Sequence, residues 1–342
     1  MTEICILPDF STDQAAEIIE RLYGLRGTLK VLNGERDLNF LLHTENGQYV
    51  FKIANQDEPY GILECQHQVL QRLQEYRVML HRASSIESVN GRVIEVIISE
   101  PGIHHYCRML NYVEGKLLSS INPHSPELLE DLGKSLAQID LSLQGFKHEA
   151  LDRPLLWNMS DALTTLDRFK PLLASEDRRK LIEYFESHFR DCALPLTRDL
   201  REGVIHNDAN DNNVLVSDDQ SPGQHVTSII DFGDMTYSWI TAEPAIAAAY
   251  AMLAKEKPLD AAVAVIKGYH AQLPLNEAEI SVLFDFICMR LCMSVCICAY
   301  QRSFEPDNEY LSISEKPAWA LLEILRNVTP EHASDLFRKA CS

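Results

Sequence analysis

A chain of 342 residues has material for two lobes, each with its own core, and its 46% apolar and 24% charged content is that of an ordinary globular protein. A formal net charge of −19 repels phosphate backbones and anionic membranes, so neither nucleic acid nor a membrane is expected as a partner. No secretory signal is read in "MTEICILPDFSTDQ", and nine cysteines without one point to reduced thiols in a cytoplasm.

In chain order, "DQAAEIIERLYGL" predicts an amphipathic helix ending near Gly24 and Gly27. Three strands follow: "TLKVL" (28–32), "LNFLLHT" (38–44) after the turn-rich "NGERD" (33–37), and "QYVFKIA" (48–54) after the hairpin signal "ENG". A helix is expected over 59–76, with proline in its first turn, and further strands near 92–98 and 105–113. After "VEGKLLSS" the pattern turns helical. Ser125 is the expected N-cap residue for a helix over 125–143, and helical periodicity covers about 158–193, 241–255, 258–272, 276–302 and 315–340. Only 203–216 and 226–234 read as strand and loop in this half. The expected organisation is an N-terminal lobe (1–111), a linker (112–118) and a helical C-terminal lobe (119–342).

The most apolar late stretch, "SVLFDFICMRLCMSVCICAY" (281–300), carries Asp285 and Arg290 near its middle, so a buried core helix fits it better than a membrane span. Cys288, Cys292 and Cys296 share one face there. They read as a core stripe, and no C-x-x-C pair supports zinc.

The stretch "GVIHNDANDNNVLV" (203–216) packs polar residues between two strand-like runs, and "SIIDFGD" puts Asp231 at the end of another run. Strands flanking a short loop bring Asp208, Asn213 and Asp231 to one rim. A carboxylate, an amide oxygen and a second carboxylate make a hard-oxygen site suited to Mg²⁺ and phosphates. Phosphoryl transfer needs those parts, together with a carboxylate that orients the attacking hydroxyl. Taken singly, each of these residues reads equally as a turn former or cap.

The H-x-D-x-x-x-x-N spacing followed by D-F-G resembles the aminoglycoside phosphotransferase and choline kinase superfamily. The longer string "HNDANDNNVLV…IIDFGDMTYSW…AEPAIAAAYAML" most resembles its hydroxylysine kinase branch. The resemblance spans nearly the whole chain. It implies an α+β, two-lobed protein-kinase-like fold, with a small antiparallel-sheet N-lobe and a larger, mostly helical C-lobe. It also implies a Mg²⁺-dependent kinase using ATP or GTP. Asp208 would be the catalytic base, Asn213 and Asp231 would hold Mg²⁺, and His206 would brace the loop. Lys52 would contact the α- and β-phosphates and Glu64 would pair with it. "LNGERDLNF", including Asn39, would close over the phosphates, and "MLNYVEG", including Asn111 and Val113, would hold the base. On the residues alone, Lys52 reads also as a solvated strand lysine, and Glu64 as a plain exposed glutamate. The chain departs from the family in having Asn207 where glycine is common, and only Gly34 in the phosphate loop.

For the acceptor, Asp234, Trp239, Asp211, Tyr237 and Glu243 stand close to the site in sequence, and Trp157 is a further wall. Capping, packing and helix-start roles compete for each. The resemblance implies a small hydroxylated amine or amino acid, with 5-hydroxylysine as the best match. Homoserine, choline, ethanolamine and aminoglycosides are the alternatives. A nucleotide-binding pseudokinase and a protein kinase are the rivals from other classes; the short segment after D-F-G-D leaves little room for a long activation loop.

Overall fold

Ser11 opens the first helix of the computed structural model, α1 (Thr12–Tyr23): its hydroxyl accepts the Gln14 N–H, and the Gln14 side chain accepts the Ser11 N–H. The structure describes residues 7–34, 36–76, 80, 83–100, 102–218, 223–304 and 314–342. Glu35, in the expected phosphate loop, lies outside them. The chain divides into two compact units, Met1–Arg77 with His81–Glu114, and Val78–Leu80 with Gly115–Ser342.

The first unit is an antiparallel sheet of β1 (Thr28–Leu32), β2 (Leu38–Thr44), β3 (Gly47–Ile53), β4 (Ser85–Ile86), β5 (Glu95–Glu100) and β6 (Ile103–Asn111). Its order is β1-β2-β3-β6-β4, with β5 also on β6. Alternation sends Phe40, Leu42, Phe51, Ile53, Cys107 and Met109 into one core with the apolar stripe of α1. The opposite face carries a row made by Asn39, Lys52 and Arg108, which are register partners on β2, β3 and β6. Helix α2 (Tyr60–Glu75) meets this row, where Arg108 donates to Gln66 at 2.6 Å.

The second unit holds α3 (Pro126–Ser142), α4 (Ala162–Phe169), α5 (Glu176–His188), α6 (Ala242–Ala251), α7 (Pro258–Gln272), α8 (Glu277–Arg302), α9 (Glu315–Leu325) and α10 (Pro330–Ala340). Ser125 caps α3 through the Leu128 N–H. The helical pattern over 158–193 is divided between α4 and α5. Pro171 interrupts it in a 3₁₀ turn and Ser175 starts α5 afresh, because proline removes a helical N–H and serine satisfies a new set of orphan donors. The same pair of causes, Thr329 and Pro330, splits 315–340 into α9 and α10. Helix α8 is long and apolar enough to cross a membrane, yet it is buried nearly end to end and packs against α4, α5, α6, α9 and α10.

Short strands complete this unit: β7 (Lys116–Leu117), β8 (Glu202–Ile205), β9 (Val214–Val216), β10 (Val226–Ile229) and β11 (Thr236–Trp239). They pair antiparallel as β10-β9-β7 and as β11-β8. The sequence reading of this half missed β7 and β11. Both are too short to carry a clear alternation, and both form only because a partner strand is in place.

Candidate active site

The polar loop 206–213 is the connection from β8 to β9, and each strand is held by a different partner. β8 is held by β11, while β9 lies between β10 and β7. Inside the loop the Asn210 N–H donates to the Asp208 carbonyl at 2.8 Å and the Asn213 N–H to the Asn210 carbonyl at 3.0 Å. The Asn210 side chain also accepts the Asn212 N–H at 2.8 Å. That side-chain oxygen stands in for a backbone partner that a tight turn cannot supply. The Ile230 N–H donates to the Asn213 carbonyl at 2.9 Å, which sets the segment after β10 beside the end of the loop.

Asp208 is the hub. Its Oδ2 accepts from Asn213 Nδ2 at 2.7 Å, and its Oδ1 accepts from Asn210 Nδ2 at 3.0 Å and from Arg290 Nη2 at 3.2 Å. The side chain keeps 23% exposure, enough for a small group to reach it. Burial pushes its carboxyl up to about 8 and the nearby Asp234 adds to this, while Arg290 and Asn210 pull it back. Asp231 contributes a weaker push in the same direction.

Asp231 has left-handed backbone angles (φ 60°, ψ 76°), a conformation aspartate tolerates better than most residues. It is exposed, and its Oδ1 accepts the Gly233 N–H. Asn213 commits Nδ2 to Asp208, so Oδ1 is the acceptor atom left to its amide. An exposed carboxylate and an amide oxygen, set in an acidic field, fit a hard divalent cation that takes its remaining ligands from water and phosphate. Among the described residues no group of three or more His, Cys, Asp or Glu forms a metal cluster.

Behind the loop, His206 is fully buried. Its Nε2 donates to the Ile230 carbonyl at 3.0 Å and its Nδ1 accepts the Asp208 N–H at 3.3 Å, a pattern that needs the neutral ring. Burial lowers its pKa in the same sense. Asn207 sits at φ 64° and hangs from two partners: its N–H donates to Glu243 Oε2 at 3.0 Å, and its Nδ2 to the Asp234 carbonyl at 3.1 Å. Glu243 is wholly buried, and burial pushes it up to about 7 against the backbone N–H groups of Asn207 and His206.

The other expected site residues are distributed as follows. In the first unit Lys52 Nζ lies 3.6 Å from Asp37 Oδ2, and Glu64 is half-buried on α2. Asn39 is buried, with Nδ2 donating to the Asp37 carbonyl and Oδ1 lacking a partner among the described residues. Asn111 ends β6 with its side chain on Ser84, and Val113 is buried. In the second unit the Asp211 carbonyl accepts the Ser119 N–H, and burial raises its carboxyl. Asp234 lies near Asp208 through its field. Tyr237 is exposed on β11. Trp239 pairs with Glu202, three register steps from the Thr236–Ile205 pair that adjoins the loop, and its ring packs 5.4 Å from Phe286. β11 therefore carries Trp239 away from the Asp208 cluster. Trp157 is half-buried, 4.4 Å beneath the Arg290 guanidinium.

Sequence reasoning overlooked Arg290, Asn210 and Asp37. Arg290 did leave a signal, since a charge inside an apolar helix must find a partner.

A model of the phosphotransferase enzyme family matches residues 28–279. The chain is 31% identical to hydroxylysine kinase of Xenopus laevis over 95% of its own length and 92% of the relative's. Among solved structures, a microcompartment-associated aminopropanol kinase aligns with a TM-score of 0.73 at 16% identity, covering 95% of this chain and all of that one. Amicoumacin kinase in complex with AMP-PNP, Ca²⁺ and Ami aligns with a TM-score of 0.69 at 14% identity, covering 94% and 96%. These likenesses show the fold, a two-lobed α+β protein-kinase-like one.

Proposed function

Because this chain belongs to the phosphotransferase enzyme family, we propose that it is a small-molecule kinase that moves the γ-phosphoryl group of a nucleoside triphosphate to a hydroxyl of a small amino-containing acceptor, 5-hydroxylysine being the acceptor favoured. The observation that carries the reading is the Asp208 carboxylate, held by three donors at the mouth of a loop that also presents Asn213 and adjoins Asp231. A carboxylate has about four acceptor positions, so with three filled one remains for an acceptor hydroxyl. The choice of 5-hydroxylysine rests on the relative from Xenopus laevis and on the motif string, and either ATP or GTP is the proposed donor.

In this reading the acceptor oxygen bonds to the γ-phosphorus while the bond from that phosphorus to the β–γ bridging oxygen breaks. The hydroxyl proton passes to Asp208, and the nucleoside diphosphate leaves. Asn213 and Asp231 would hold Mg²⁺, which neutralises the developing phosphate charge. His206 holds the Asp208 backbone from below. Lys52 has the proposed role of contacting the α- and β-phosphates, with Glu64, Asn39, Asn111 and Val113 as the further nucleotide-binding set. Asp234 and Asp211, with Tyr237, supply negative charge and an aromatic face for an ammonium-bearing acceptor; Trp239 is the weakest member of that set. Residues 232–241 link Asp231 to α6 through β11, a path without room for the long activation loop of a protein kinase. A cytoplasmic location is part of the proposal, supported by the free thiols among the described cysteines.

The test is nucleoside diphosphate release with Mg²⁺ and ATP or GTP, across 5-hydroxylysine, homoserine, choline, ethanolamine and an aminoglycoside. Release is expected with 5-hydroxylysine. Asp208→Asn should lower kcat by about 10²- to 10⁴-fold with nucleotide affinity kept. Release with a different acceptor would reassign the substrate, and silence across the panel with nucleotide still bound would favour a pseudokinase.

A further inference from the structure

We infer that Arg290, from the buried helix α8, is a positioning residue that holds the Asp208 carboxylate in its working orientation; this rests on the reading of Asp208 as the group facing the acceptor hydroxyl. Asn210 and Asn213 also grip that carboxylate, but they belong to the same loop. Arg290 is the donor that comes from outside, 82 residues further along the chain. It therefore ties the carboxylate to the core of its unit.

The guanidinium is itself held by other groups. Its side chain is 1% exposed, Nη1 donates to the Trp157 carbonyl at 3.1 Å, and Cζ lies 4.4 Å from the centre of the Trp157 ring and 5.6 Å from that of Tyr250. A planar fork held in this way by a carbonyl and aromatic faces has its orientation set before Asp208 is considered. From that setting Nη2 donates to Asp208 Oδ1. A buried cation needs a compensating charge, and the one in hydrogen-bond contact is the carboxylate that faces the reaction.

Arg290→Met and Arg290→Lys test this, read by steady-state kinetics and by the crystal structure of each variant. Misplacing a reacting group by about 1 Å costs roughly a hundredfold, so kcat is expected to fall about ten- to a hundredfold in Arg290→Met, while KM for the nucleotide stays within about twofold. Arg290→Lys should recover part of kcat, since an ammonium supplies the charge but not the fork. In the Met variant the Asp208 carboxylate should be turned from its position with the 206–213 backbone in place. An unchanged carboxylate or an unchanged kcat in folded Arg290→Met overturns the inference, as does a parallel loss of nucleotide affinity and turnover. If wild-type protein transfers phosphate to no acceptor, the functional reading fails; the Asp208 orientation in the variant crystals still decides the positioning claim.

Discussion

Asn207 occupies the position where the resembled superfamily commonly has glycine, and its φ of 64° is the left-handed backbone that glycine adopts most freely. Asparagine enters the left-handed region at modest cost, and here it recovers that cost through bonds to Glu243 and Asp234. Glu243 looks in sequence like an ordinary acid in the first turn of a helix. In the structure it is buried and receives the Asn207 N–H from 36 residues away. Glu243→Ala would strand that N–H in a dry interior and should cost about 1–3 kcal/mol, with Glu243→Gln costing less because it keeps an acceptor. Urea unfolding of both variants checks this; equal losses would mean the contact is unimportant. Asp208, Asn213 and Asp231 could be picked out by spacing alone, since the loop ends and the D-F-G turn are local features. Arg290 and Glu243 could not, because their partners are chosen by the fold.

Helix boundaries followed local chemistry wherever a cap or a proline was present. Ser11, Ser125, Ser175 and Thr329 each start a helix with a side-chain oxygen. What local chemistry does not reveal is which helices touch. Helices α3 and α7 approach so closely that a Cβ on Gly133 would lie 2.0 Å from the Val265 carbonyl oxygen, and one on Gly268 would lie 1.8 Å from that of Glu130. Alanine is the better helix former, yet Gly133→Ala should destabilise by about 1–3 kcal/mol because the neighbour is backbone and must move. A fall in Tm on thermal unfolding is expected; a rise would show that helix propensity outweighs the contact. The α8 cysteines illustrate the same limit from the other side. Their periodic spacing fits a metal face or a core stripe, and burial of Cys288, Cys292 and Cys296, which pushes all three thiols up, leaves them as core residues.

The net charge of −19 describes the molecule as a whole and says little about where its charges pair. One pair joins α5 to α8: His188 Nδ1 lies 2.5 Å from Asp285 Oδ1. The hydrogen bond to Asp285 holds the His188 pKa above its ordinary value of 6.5. A raised histidine contributes its stabilisation in full below 6.5 and loses it as pH rises through the folded-state value. His188→Gln should therefore cost about 1 kcal/mol at pH 6 and markedly less at pH 9, measured by denaturant unfolding at the two values. A cost independent of pH would mean that the ring serves there only by packing.

Composition, periodicity and one motif were enough to specify a mixed sheet lobe followed by a helical lobe, the positions of most helices, and a loop equipped with carboxylates and amides for phosphate chemistry. All of these depend on neighbours within a few residues. The short strands β7 and β11, the break of 158–193, the burial of Glu243 and the reach of Arg290 to Asp208 depend on contacts between distant parts of the chain. A two-residue strand is stable only beside its partner, and a buried charge takes whichever counter-charge the packing puts within 3–4 Å. Packing is a property of the assembled volume, and local sequence carries no record of it.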